Sequence, residues 1–188
     1  MNEELTKNLG PLAPLAGTWE GDKGDDTAQD DDPREREINK YRERLVLDPF
    51  GPVNNHAQLY GLRYSTTAWR LKEESPFHEE LGYWLWDPAE KQVMRCFIVP
   101  RGVTVIAGGT VEPKAREFHL AAEVGSETHG ICSNRFLGRE FKTVRYELKV
   151  TVHDANSFSY EEDTQLQIKG QSELFHHIDK NTLIRLPS

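Results

Sequence analysis

Seven histidines are the residues of this sequence best suited to chemistry: His56, His78, His119, His129, His153, His176 and His177. A neutral imidazole binds iron, zinc or copper, and its proton comes and goes near neutral pH. None of the seven stands in an HxH, HExxH or Cys/His pattern, so the spacing argues against a tetrahedral zinc site. No GxSxG, P-loop or strand-linked GxGxxG offers another reaction centre. Cys96 and Cys132 lie far apart with no CxxC pairing. They read as a reduced, buried pair, and no sequence neighbour supports Cys–His nucleophilic catalysis. His176-His177 is the most suggestive pair. It sits between Phe175 and Ile178 just before the final strand, and neighbours on an extended segment face opposite ways. One of the two must therefore look inward. Taken alone, an inward histidine is more often a hydrogen-bonded wall residue than a metal ligand, and the dipeptide leaves that choice open.

The elements that must position these residues are strands. Gly17 to Gly21 reads as the first, with Trp19 inward, after a short helical turn that Gly10, Pro11 and Pro14 keep short. Tyr41 to Leu47 alternates Arg and Glu, expected outward, with inward residues. Pro49 to Asn55 forms a turn cluster. Leu59 to Trp69, His78 to Trp86, Gln92 to Val99, Val103 to Val111 and Glu117 to Val124 follow, and Gly108-Gly109 marks a kink where something packs closely. Residues 125 to 142 carry no assignable period. Thr143 to His153, Phe158 to Ile168 and Asn181 to Leu186 complete the series. About ten strands with short connections predict an all-β fold. The expected form is an antiparallel up-and-down β-barrel, lipocalin- or fatty-acid-binding-protein-like, wide enough to enclose a ligand.

Charge narrows the partners. The 188 residues suit one domain, residues 1 to 188, and carry 23 Lys and Arg against 31 Asp and Glu, a net of -8. That sign argues against nucleic acid and anionic membranes, which need a basic surface. Eight of the acids fall in residues 22 to 37. Without apolar period or EF-hand spacing, this stretch reads as a solvated loop, and removing residues 25 to 32 is expected to change stability little. No apolar run reaches the 18 or so residues of a membrane helix, and MNEELTKNLG has no signal-peptide character. A cytoplasmic address is expected, and a homodimer is compatible with the sequence.

Several segments together resemble a known family. Leu12-Ala13-Pro14-Leu15-Ala16-Gly17-Thr18-Trp19-Glu20-Gly21 looks like the opening L-x-x-L-x-G-x-W-x-G-x-G of the nitrobindin family. Tyr41 to Leu47, Pro76 to Tyr83, Gly102 to Thr110 and Ser159 to Gln167 resemble its later strands in order, and Phe175-His176-His177-Ile178 resembles its ending. The sequence departs from the pattern in having one extra residue before Gly24, in the acidic stretch that replaces the segment after it, and in residues 125 to 142. The resemblance implies a ten-stranded barrel holding b-type haem through one histidine, binding nitric oxide and isomerising peroxynitrite to nitrate. It places the iron ligand at His177, with His176 the alternative, His78 near the haem edge, and Trp19 among the cofactor-binding residues. A ligand histidine needs its other ring nitrogen hydrogen-bonded, and Asp179 is the carboxylate near it in sequence. The competing expectation is the same barrel without iron, carrying a hydrophobic small molecule.

Overall fold

The computed structural model describes residues 3–29, 36–55 and 57–187, so His56 and residues 30–35 lie outside the described residues. The strands are β1 (Gly17–Gln29), β2 (Arg36–Asn55), β3 (Ala57–Arg70), β4 (His78–Asp87), β5 (Gln92–Val99), β6 (Val103–Thr110), β7 (Glu117–Val124), β8 (Gly130–Ser133), β9 (Phe141–Val152), β10 (Ser157–Ile168) and β11 (Phe175–Arg185). They close a barrel in the order β1-β11-β10-β9-β7-β8-β6-β5-β4-β3-β2. Ten of them form the expected antiparallel meander. The eleventh, β8, comes from the unassigned stretch and fills a split in the wall. Strands β6 and β7 share a single ladder pair, Gly108↔Ala121, and β8 pairs antiparallel to β6 and parallel to β7 where they diverge. A short helix, Leu137–Glu140, follows it. No helix among the described residues is long and apolar enough to cross a membrane.

One end of the barrel is plugged. Pro11 and Pro14 restrict the segment to a 3-10 helix, Gly10–Leu15. It drives Leu12 and Leu15, with Leu9 just before it, into a cluster with Trp86 and Val93. Each such side chain, fully buried, contributes about 1.5–3 kcal/mol. The close packing expected at Gly108-Gly109 is present, although the β5–β6 register runs through both without a shift: a Cβ on Gly108 would lie 2.2 Å from the His129 ring, and one on Gly109 would lie 2.2 Å from the His119 carbonyl.

Three readings need correction. The acidic stretch is largely strand. Asp25 to Thr27 pair with β11, and Asp25 to Gln29 pair with β2, so removing residues 25–29 would open the barrel seam. Residues 30–32 of that deletion lie outside the described residues. The turn cluster is also strand: β2 runs through Asn55, with an irregularity between Phe50 and Val53 where Pro52 has no N–H to give the ladder. Finally, Glu43 does not face out. It shares the inward parity of Tyr41 and Leu45 and is 6% exposed.

The extra residue before Gly24 has a visible effect. Strand β1 loses register with both neighbours there, with a shift between Gly21 and Gly24 against β2 and between Glu20 and Asp25 against β11. This is a bulge. It brings the Gly24 backbone against the Tyr41 ring, where a Cβ would sit 2.5 Å from ring atoms. Gly24→Ala is expected to cost about 1–3 kcal/mol by overpacking. Urea melts check this, and a loss below about 0.5 kcal/mol, the size of an ordinary surface change, would show that Tyr41 yields freely.

Candidate functional site

Period-two alternation turns one face of every strand into the lumen, and above the plug that lumen stays open as a cavity of about 800 Å³. Its floor is apolar, built from Leu15, Leu45, Leu148 and Phe158. Its mouth, at the end opposite the plug, carries Phe77, Val99, Phe141 and Leu166 together with Arg70, Arg101 and His177. Between them lies a belt of buried polar groups.

The belt follows from register. Asp26, Asp179 and Glu162 stand directly opposite one another across β1, β11 and β10, three carboxylates in one row. Like charges so placed repel, and each is met by a different donor. His177 Nε2 lies 2.5 Å from Asp26 Oδ1, and Asn39 donates to the other Asp26 oxygen at 3.0 Å. The Tyr41 hydroxyl donates to Asp179. Arg95 reaches across from β5 to Glu162 and to the Tyr146 hydroxyl, and its other terminal nitrogen donates to Glu80 Oε2 at 2.6 Å. Tyr64 also donates to Glu80, at 2.7 Å. Glu43 accepts from Thr66 at 2.6 Å, Tyr160 at 2.8 Å and Asn181 at 3.1 Å.

These partners divide the carboxyls. Burial pushes the Glu80 carboxyl upward, but the Arg95 charge and the His78 hydrogen bond overcome it and hold Glu80 well below the usual range. Burial also raises Glu162, and there Arg95 offsets it only in part while Glu80 adds to it. Burial lowers His78, yet its hydrogen bond to Glu80 and the charge behind it leave the imidazole raised overall. A raised group contributes stability that is complete below its unfolded pKa and is lost as pH rises through the folded value. Both Glu162 and His78 therefore favour mildly acid conditions. Glu80 acts oppositely: its contribution is present above about 4.5 and is lost as pH falls through its lowered value. Thermal melts should show a higher Tm near pH 5.5 than at pH 8, with collapse only in strong acid. His78→Gln should flatten the decline between those two pH values, since the loss from a group raised above 6.5 falls within them, and a Tm that rises steadily to pH 8 would contradict the assignment.

The structure separates the residues singled out in the sequence. His177 and His78 both line the cavity. His78 Nε2 is held by Glu80 Oε1 at 3.1 Å. His176 points out of the barrel and pairs with Asp163 Oδ2 at 2.7 Å. Trp19 is 1% exposed in the plugged end, away from the cavity wall. Its Nε1–H donates to the Leu15 carbonyl at 2.8 Å, its ring meets Phe158 edge-on, and the Arg185 guanidinium lies 4.1 Å above it. The carboxylate on His177 is Asp26 and not Asp179, which faces Tyr41. The sequence reading missed Arg95, Glu80 and Glu162 altogether, although Arg95 sits two residues from inward Val93 and two from inward Phe97.

Comparison with known proteins agrees with this architecture. A search of curated proteins finds no significant match. Among solved structures, Rv2717c from M. tuberculosis superposes with a TM-score of 0.68 over 95% of this chain and 97% of that one, at 22% identity, a likeness of fold. The family model described as THAP4-like, heme-binding beta-barrel domain matches residues 8–185. A match over that length carries the resemblance read in the sequence: the chain belongs to this haem-binding β-barrel family, the nitrobindins.

Proposed function

We propose that the cavity mouth holds b-type haem through His177, and that the protein binds nitric oxide there and isomerises peroxynitrite to nitrate. The observation that carries this reading is the His177 imidazole at the cavity mouth, backed by the Asp26 carboxylate and bordered by Phe77, Phe141 and Leu166. Among the described residues, no group of three or more His, Cys, Asp or Glu side chains could hold a bare metal ion. One imidazole suits a metal that arrives with its own equatorial ligands, as porphyrin iron does.

The residues present fit that group. Phe77, Phe141 and Leu166 would offer apolar surface to a macrocycle, and Arg70 and Arg101, which line the same cavity, would supply cations for its carboxylates. Asp26 holds one ring nitrogen of His177, fixes the ring plane, and leaves the other nitrogen for iron. Haem held by this one protein ligand would supply the iron chemistry that takes up a diatomic or an oxoanion. Arg101, exposed at the mouth, draws an anion toward a chain of net charge -8. The belt of carboxylates around Arg95 disfavours the competing reading, since a carrier of a wholly apolar molecule would have to desolvate it.

Titrating the full chain with haemin tests the proposal. A saturable Soret band at one haem per chain, perturbed by nitric oxide, is expected. Haemin absorbance that stays that of the free compound would overturn it.

A further inference from the structure

Below the mouth, two donors on the cavity wall lack partners among the described residues. Trp84 and Arg95 stand directly opposite each other on β4 and β5, and each is 6% exposed. Both line the cavity, yet among the described residues neither the Trp84 Nε1–H nor the Arg95 Nε–H has a hydrogen-bond acceptor. The rest of their polar neighbourhood is engaged, since the other Arg95 nitrogens reach Glu80, Glu162 and Tyr146, and Tyr64 donates to Glu80. Buried donors left unmet are rare in finished cores, and two adjacent ones are rarer still. Each calls for an oxygen acceptor at this part of the wall.

Charge decides which oxygen. Arg95 already faces two carboxylates, Glu80 and Glu162. A carboxylate or phosphate entering here would bring a further negative charge against them in a low-dielectric interior. A neutral oxygen meets no such penalty. A hydroxyl has a further advantage over a carbonyl, because it can also donate, and Glu162 is the adjacent acceptor. The apolar floor of Leu45, Leu148 and Phe158 receives a carbon body. We propose that this inner chamber binds a neutral, hydroxyl-bearing small molecule with an apolar body, its oxygen at the Trp84 and Arg95 donors. The subsite requires no iron, so it stands or falls separately from the haem reading.

Three ligands of one shape and different charge test it: benzyl alcohol, benzoate and benzylamine. The readout is the indole N–H resonance of Trp84 in the nitrogen-15 spectrum of the full chain, identified by its disappearance in Trp84→Phe. Benzyl alcohol should move that resonance saturably, while benzoate and benzylamine at the same concentration leave it in place. By calorimetry, Trp84→Phe should bind benzyl alcohol about fivefold more weakly, the factor of one neutral hydrogen bond. A Trp84 resonance indifferent to benzyl alcohol would overturn the proposal, as would benzoate or benzylamine moving it equally. Unchanged affinity in Trp84→Phe would do the same, since the indole donor would then hold nothing.

Discussion

Arg95→Met should destabilise the fold by about 3–5 kcal/mol, the loss expected when one partner of a buried charge pair is removed. Arg95 is the cation at the centre of the belt. Its side chain is 7% exposed, and it bridges Glu80 on β4, Glu162 on β10 and Tyr146 on β9, tying opposite walls of the barrel together. Four rings surround its guanidinium, from Tyr64, Trp84, Phe97 and Tyr146, the nearest at 4.6 Å. Methionine keeps much of the contact with those rings but leaves the buried Glu80 charge without its guanidinium, with only His78 and Tyr64 still bonded to it. The cost therefore comes from the stranded carboxylate. The triple variant Arg95→Met, Glu80→Gln, Glu162→Gln should recover a large part of the loss, because neutral amides do not need the cation. Denaturant melts of the three proteins decide this. A single variant within about 1 kcal/mol of wild type, the range of an exposed pair, would show that water screens the belt.

The barrel was legible because a wall facing a dry core alternates apolar and polar residues, and most of the strands do so. Strand β1 beyond Gly21 and the first half of β2 do not alternate in that way. Their inward positions, Asp26, Asn39, Tyr41 and Glu43, face a polar belt and a cavity mouth, so the strand period is written in hydrogen-bonding groups and the acidic stretch looked like loop. The same cause hid Glu80 and Glu162. Acids at inward parity resemble surface charge until register places them opposite Arg95. Pairing across the barrel was not legible at all. Asp26 and His177 are 151 positions apart, and only closure between β1 and β11 brings them together. The facing of His176 and His177 was legible, because adjacent residues of a strand must point to opposite sides whatever the fold. Trp19 was legible as an inward residue, but its own position could not tell the plugged end from the open one. That distinction came from Pro11 and Pro14, which shape the plug beneath it.

His177→Ala should reduce haem affinity by more than about 100-fold, because loss of an outer-shell partner alone costs about 10–100-fold and this variant removes the ligand itself. Asp26→Ala, which removes that outer partner, should fall within the smaller range. His176→Ala should leave affinity nearly unchanged, since its imidazole lies outside the barrel on Asp163. Haemin titration of wild type and the three variants, followed by the Soret absorbance, is the most direct test that His177 holds the iron. The account predicts tight binding in wild type and His176→Ala, weaker binding in Asp26→Ala, and none saturable in His177→Ala. Equal spectra and affinities for wild type and His177→Ala, or a loss confined to His176→Ala, would contradict it.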